Sequence, residues 1–216
     1  AQVEGIFISH EHSDHIAGLQ QLLKRFDIPV YTKQGTWREI QDKLVVPKNQ
    51  LIELTKGSLT LGNLIVEPFA VSHDAADPIG INVFSGNDKA TVVTDTGIIS
   101  DDILHRLDDS TLLVLEANYD PHMLRFGPYQ PFLKQRVASD EGHLSNEMAA
   151  QALLMMNRPD FMQVILAHRS ENNNNAVLVT QTIGKMLVDG GVRIGPEMKL
   201  QHGQPNEIVS MKSVKR

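Results

Sequence analysis

The chain has 216 residues, 41% apolar and 21% charged, with a formal net charge of −6 and no cysteine. That length suits one domain with a sizeable core, and the acidic balance argues against a protein that coats nucleic acid through a basic face. There is no disulfide framework and no thiolate metal site, no apolar run approaching the ~18 residues of a membrane span, and no signal-like start in "AQVEGIFISH", so a cytoplasmic protein without a membrane partner is expected.

"VEGIFIS" is a short apolar run that reads as a strand and ends in "HEHSDH", three histidines and two carboxylates within residues 10–15. The chain opens on Ala1 with this strand already begun, so a fragment or a processed chain is expected. "HIAGLQQLLKRF" places Ile16, Leu19, Leu22, Leu23 and Phe26 at helical spacing. "IPVYT" reads as a strand, "QGTWREIQDKL" as a helix, and "LIELTKGSLTLGNLIVEPFAVSH" as strands broken at Gly57 and at residues 62–63. "IGINVFSGNDKATVVTDTG" reads as a hairpin turning at "GND", with Asp95 at the exit of its second strand. "SDDILHRL" is a short helix capped by Ser100, and "TLLVLEAN" is a buried strand. "YDPHMLRFGPYQPFLKQRVASDEG" carries three prolines and reads as a long functional loop with one helical turn at most. "SNEMAAQALLMMN" is a helix capped by Ser145, "MQVILAH" a strand, "NNAVLVTQTIGKML" a helix, and "GGVRIGPEMKLQHGQPNEIVSMK" a final strand or two.

Strands alternate with helices, but hairpins are mixed in, so layered sheets flanked by helices are expected rather than one parallel sheet. Residues of metal-ligand type recur at four strand exits: His10 to His15, His73, Asp95 and His168. In layered α/β folds, residues at strand ends converge on a common cleft. His10 and His12, two apart on an extended backbone, face the same way and can grip one ion. Asp14 and His15, past the bend, can face a second. Imidazole and carboxylate are what Zn²⁺ and similar cations take when thiolates are absent. Two ions need more donors than one turn offers, and His73, Asp95 and His168 are the natural suppliers. Cation pairs about 3.5–4 Å apart serve phosphoester hydrolysis.

"HEHSDH" resembles the His-x-His-x-Asp-His signature of the metallo-β-lactamase superfamily. The blocks "SHDAADPIG", "TDTG", "LEANYD", "GPYQPFLKQRVASDEGHLSN" and "HRSENN" resemble the YycJ (VicX, WalJ) group of bacterial metallohydrolases. The resemblance implies an αββα sandwich over residues 1–216, a single domain lacking part of its N-terminal segment, which would leave a sheet edge exposed. It implies two divalent metal ions, Zn²⁺ or Mn²⁺: His10, His12 and His73 on the first, Asp14, His15 and His168 on the second. Asp95 would bridge them, since one carboxylate has two oxygens. It implies a 5′-to-3′ exonuclease with DNA as substrate. His143, in "GHLSN", would stabilise developing phosphorane charge or protonate the leaving oxygen. Asp14 would bind metal and orient His143 or the attacking water.

His105, His122 and His202 lack partners in sequence, and surface or packing roles are expected. Arg125, Lys134 and Arg136 are either phosphate contacts or members of a solvated loop. Met148, Met155 and Met156 read as core filling. Arg169 stands where the group usually has an apolar residue. Two other functions compete with the nuclease: hydrolysis of a small ester, lactone or thioester by the same site, which the acidic charge favours, and a non-catalytic module stapled by its metals.

Overall fold

Apolar residues recur at alternate positions in the strands and at three- and four-residue spacing in the helices, so each element has a face to bury. The computed structural model describes residues 3–55, 57–204 and 207–210. Its first part runs β1 (Ile6–Phe7), α1 (Ser13–Ile16), α2 (Leu19–Leu23), β2 (Val30–Thr32), α3 (Gln34–Ile40) and β3 (Leu51–Glu53). The second runs β4 (Leu59–Leu61), β5 (Leu64–Ala70), β6 (Ile79–Ser85), β7 (Asp88–Val93), α4 (Asp101–Leu107) and β8 (Leu112–Glu116). The third runs α5 (Pro121–Phe126), α6 (Pro131–Val137), α7 (Asn146–Met155), β9 (Met162–Ala167), α8 (Ala176–Asp189) and β10 (Met198–His202). Among the described residues no helix is long and apolar enough to cross a membrane.

Two sheets form. One is parallel with order β1-β2-β3; the other has order β10-β9-β8-β7-β6-β5-β4. In the larger sheet β4 to β7 pair antiparallel as hairpins, and β7 to β10 pair parallel through helical crossovers. The layers follow from three apolar clusters. Ile8, Ile16, Leu19, Val30, Trp37 and Ile40 join the small sheet to its helices. Tyr31, Leu54 and Ile79, with Phe7, Leu59, Leu61 and Ile81, join the two sheets. The largest cluster, with Leu107, Leu113, Leu115, Leu153, Leu166, Ile183 and Leu187, packs α4, α7 and α8 on the far face of the large sheet. Successive β2 residues make the point: Val30 faces the helices and Tyr31 the other sheet. This is the αββα arrangement.

Register places the strand exits. Val93 pairs with Leu115 and Leu115 with Leu166, so β7, β8 and β9 end level with one another. β5 runs in the same direction as β7, being antiparallel to β6 on one side as β7 is on the other. The segments after β5, β7, β8 and β9 therefore lie along one sheet edge. The exit of β1 is tied to the same edge by Ile79 N donating to Ser9 O at 3.1 Å.

Several expectations need correction. The stretch 119–142 contains two helices, α5 and α6, not a long loop. Its prolines start helices rather than break them: Pro121 and Pro131 stand in the first turn, where no N–H is needed and the fixed φ suits the helix. The Asp120 side chain accepts from Met123 N at 2.8 Å and caps the first of them. The helix expected over 15–26 is divided by a turn at residues 17–18, where glycine lowers helix propensity. Met155 is 67% exposed at the end of α7, whereas Met148 and Met156 pack in the core. The expected caps at Ser100 and Ser145 form. One final strand forms at β10; residues 205, 206 and 211–216 lie outside the described residues, as do Ala1, Gln2 and Lys56.

Candidate metal centre

The turn after β1 is fixed by its backbone. Ile8 N donates to Tyr31 O at 2.9 Å, and Thr32 Oγ1 donates to Ile8 O at 2.7 Å. His12 is the extended residue preceding α1, and His15 N closes the turn onto His12 O at 3.0 Å. The tight helical turn brings His15 back against His10, with ring centroids 4.1 Å apart, and sets Asp14 toward His168. Glu11, between the two histidines, is buried and accepts from Ala76 N at 2.8 Å, which ties this turn to the segment after β5.

Ligand-capable atoms of His10, His12 and His73 lie within 4.8 Å of one another, and so do those of Asp14, His15 and His168. Asp95 stands between the two groups. Its Oδ2 is 3.3 Å from His15 Nε2, and its Oδ1 is 3.4 Å from His168 Nε2 and 3.7 Å from His73 Nε2. Chain positions 10 to 168 thus meet in one cluster because four strand exits share one edge.

The outward ring nitrogens fix which atoms face inward. His73 Nδ1 lies 3.1 Å from Glu141 O and 3.0 Å from Gly142 O, so it carries the proton and leaves Nε2 as a lone pair facing His12 Nδ1 at 3.2 Å. His168 Nδ1 donates to Glu116 Oε1 at 2.8 Å, turning Nε2 toward Asp95 and toward Asp14, 3.6 Å away. Ser9 Oγ lies near the Nδ1 atoms of His10 and His15, at 3.1 and 3.4 Å. One ring nitrogen anchored outward and the other free inward is how metal-binding histidines are oriented.

Whether a cation fits is tested by the atoms without partners. His10 Nε2 and Asp95 Oδ2 are buried and have no hydrogen bond among the described residues, an arrangement that is costly unless something else coordinates them. Burial, then the neighbouring charges of His15, His73 and His12, push the His10 imidazole down to about 3, so its lone pair is available at neutral pH. Burial likewise pushes His73 down, against the pull of Asp95. Burial opposes a charge on His168, but Glu116, Asp95 and Asp14 outweigh it and raise the group to about 9. Those carboxylates favour a positive charge at that point, and a divalent ion satisfies the same demand. The donor set therefore suits divalent cations.

The backbone is held in an unusual conformation where it matters. Asp95 and His168 have φ of 56° and 52°, in the left-handed region. Non-glycine residues there are strained by about 1–3 kcal/mol and cluster at functional sites. Gly97 is also required by contact: a Cβ there would overlap the carbonyl oxygens of Ser139 and Asp140, which carry the loop leading to His143.

Sequence reading missed Glu116. It is fully buried at the end of β8 and collects four donors. Oε1 accepts from His143 Nδ1 and His168 Nδ1, both at 2.8 Å; Oε2 accepts from Thr96 N and Leu144 N, both at 3.2 Å. Burial favours its neutral form, but the hydrogen bonds from the two histidines prevail and hold it below the usual carboxylate range. The available signal was a glutamate closing the apolar run "LLVLE", where an ion needs a partner. Glu116 is the carboxylate hydrogen-bonded to His143. The carboxylates against His143 are those of Glu116 and, at 3.8 Å, Asp95; Asp14 meets His15 and His168.

His143 and His168 border a cavity of about 900 Å³, also lined by Asn118, Tyr129, Arg136 and Arg169. Arg136 is engaged by Asp74, with Nη2 donating to Oδ1 at 2.9 Å and Nε to Oδ2. Lys134 Nζ donates to Arg125 O at 2.8 Å; neither residue lines the cavity. His105 pairs with Asp108, His122 rests on Phe126, and His202 meets Thr180, all outside the cluster.

The family described as beta-lactamase superfamily domain matches residues 1–168. The exodeoxyribonuclease YycJ of Bacillus anthracis is 36% identical over 205 residues, spanning 94% of this chain and 78% of its own. The exodeoxyribonuclease WalJ of Streptococcus pneumoniae is 32% identical over 209 residues, spanning 94% of this chain and 77% of its own. Among solved structures, the metallo-beta-lactamase fold protein YhfI from Bacillus subtilis superposes with a TM-score of 0.65 at 16% identity, over 92% of this chain and 74% of that one.

Proposed function

Since the chain belongs to the metallo-β-lactamase superfamily, and within it to the YycJ and WalJ group of hydrolases, we propose that it is a dinuclear metal-dependent phosphodiesterase, a 5′-to-3′ exonuclease acting on DNA. The observation that carries this reading is the pair of adjacent triads with Asp95 between them. In it His10, His12 and His73 would hold one cation, Asp14, His15 and His168 would hold the other, and Asp95 would serve both. Zn²⁺ and Mn²⁺ suit imidazole and carboxylate donors. When bound, two such ions supply Lewis-acid stabilisation and a nucleophilic water at neutral pH.

The remaining steps fall to the chain's own groups. Glu116 accepts the His143 Nδ1 proton at 2.8 Å and so fixes the ring's tautomer and angle at the cavity wall. With Nδ1–H held on Glu116, His143 acts as the acid from its imidazolium form: Nε2 gives its proton to the oxygen that leaves, the ring becomes the neutral Nδ1-protonated tautomer, and this is the step a phosphodiester needs and an activated ester does not. The names of the relatives support DNA as the substrate class.

The test pairs elemental analysis of protein purified without chelator with cleavage of end-labelled duplex DNA, bis-p-nitrophenyl phosphate and chromogenic esters. DNA shortening from the 5′ end, lost in His12→Ala with the fold retained, is expected. A doubly loaded protein that leaves DNA intact while hydrolysing esters or lactones would replace this reading with the small-substrate one. A loaded protein inert to every substrate would leave the metals a stapling role.

A further inference from the structure

Arg169 directly follows His168 and lines the same cavity as His143. Among the described residues it makes no hydrogen bond or ion pair, and its Nη1 is buried without an acceptor. A buried guanidinium N–H left unmatched is costly, so its persistence at a cavity wall points to a ligand. Among the described residues the charged and polar neighbours are engaged elsewhere or form no ion pair with Arg169. Glu171 lines the cavity too but forms no ion pair with it. The neighbouring His202 shares its Nε2 with Thr180 Oγ1 at 2.9 Å and offers no negative charge. The other cavity arginine, Arg136, already has Asp74. Asn118, which also borders the cavity, donates to His168 O at 2.8 Å and braces the backbone immediately before Arg169.

The ligand's chemistry follows from the donor. Guanidinium presents a rigid planar fork whose paired N–H groups match two oxygens of a phosphate. The chain as a whole carries −6 and repels polyanions at long range. A substrate rich in phosphate therefore needs positive charge concentrated in the cleft, and Arg169 is a cation there that forms no ion pair among the described residues.

We propose that Arg169 clamps a phosphate of the DNA strand next to the one being cleaved, making the cavity beside His143 and His168 an anion subsite that sets substrate binding. This rests on the nuclease reading above. The contact is to a phosphate that does not react, so Arg169 acts on binding and register rather than on the reacting bond.

The test measures binding of a fluorescent duplex with phosphorothioate links, which resist turnover, to the metal-loaded protein by anisotropy across a salt series. Arg169→Gln is expected to bind about tenfold more weakly, with the slope of log K against log salt reduced by about one. Arg169→Lys keeps the slope but loses several-fold in affinity, because the paired contact is gone. Metal content, by elemental analysis of separately loaded protein, stays at the parent value if His168 keeps its place. Duplexes with a 5′-phosphate and a 5′-hydroxyl separate the two sources: an effect confined to the first assigns a terminal phosphate, an equal effect an internal diester. Parent-like affinity and slope in Arg169→Gln, with a parent that cleaves DNA, overturn the clamp alone. A metal-loaded parent that neither binds nor cleaves DNA overturns the nuclease reading and the clamp with it.

Discussion

Asp95 combines three properties seldom found in one residue: it is almost wholly buried, its φ is positive, and its two oxygens face different histidines. Asparagine also tolerates the left-handed region, so Asp95→Asn keeps the turn while removing the charge that two cations would share. Elemental analysis is expected to show fewer than two metal equivalents, and activity to fall by at least about a hundredfold, since even indirect supports of a metal site are worth 10–100-fold. Glu116 is the second decisive residue. Its carboxylate accepts from four donors, and Glu116→Gln would set an amide N–H₂ against some of them. A loss of about 1–3 kcal/mol in urea unfolding is expected, together with lower activity as His143 loses its anchor. An unchanged unfolding midpoint would show that the pocket absorbs the swap.

At the scale of elements, the helix ends are pinned by side chains. Asp108 follows α4 and accepts from Asn157 N at 2.8 Å and Asn157 Nδ2 at 3.1 Å, joining the ends of α4 and α7; His105 Nδ1 is 3.3 Å away. Burial works against its charge, but these donors hold the carboxyl below its ordinary value. A depressed carboxyl pKa stabilises the fold above the unfolded value and loses that contribution as pH falls through the folded one. Parent protein should therefore exceed Asp108→Asn in urea stability at pH 7, and the gap should close below about pH 4. A gap independent of pH would assign the difference to packing. The α5–α6 pair shows where local reading fails: a proline is a breaker inside a helix and an initiator at its first turn, and only the caps decide which. Its apolar residues Leu124 and Val137, with Tyr119, form a small cluster of their own that seats the cavity wall.

For the whole molecule, the candidate site is a joint between layers. Elements of the small sheet supply His10 to His15, and the large sheet supplies His73, Asp95, His143 and His168. A cation pair bound there cross-links both. Chelation is thus expected to lower the melting temperature, and Zn²⁺ or Mn²⁺ to restore it. Ligand at a hundred times its Kd stabilises by about 2.7 kcal/mol, or roughly 5–10 °C for a chain of this size. A melting curve indifferent to EDTA would show that the cluster holds no metal in solution.

The sequence alone determined the ingredients. Seven residues of metal-ligand type stood out because each sits where an apolar strand ends, and alternation and helical spacing announced the strands and most helices. Those are properties of neighbours in the chain, set by backbone periodicity and side-chain chemistry. What only the tertiary structure decided is which of them meet. Level registers of β7, β8 and β9 bring Asp95, Glu116 and His168 to one edge, and a buried carboxylate takes both His143 and His168. Pairing across 158 positions from His10 to His168 depends on sheet order and on packing between layers, and long-range contacts of that kind leave no periodic trace in the residues that make them.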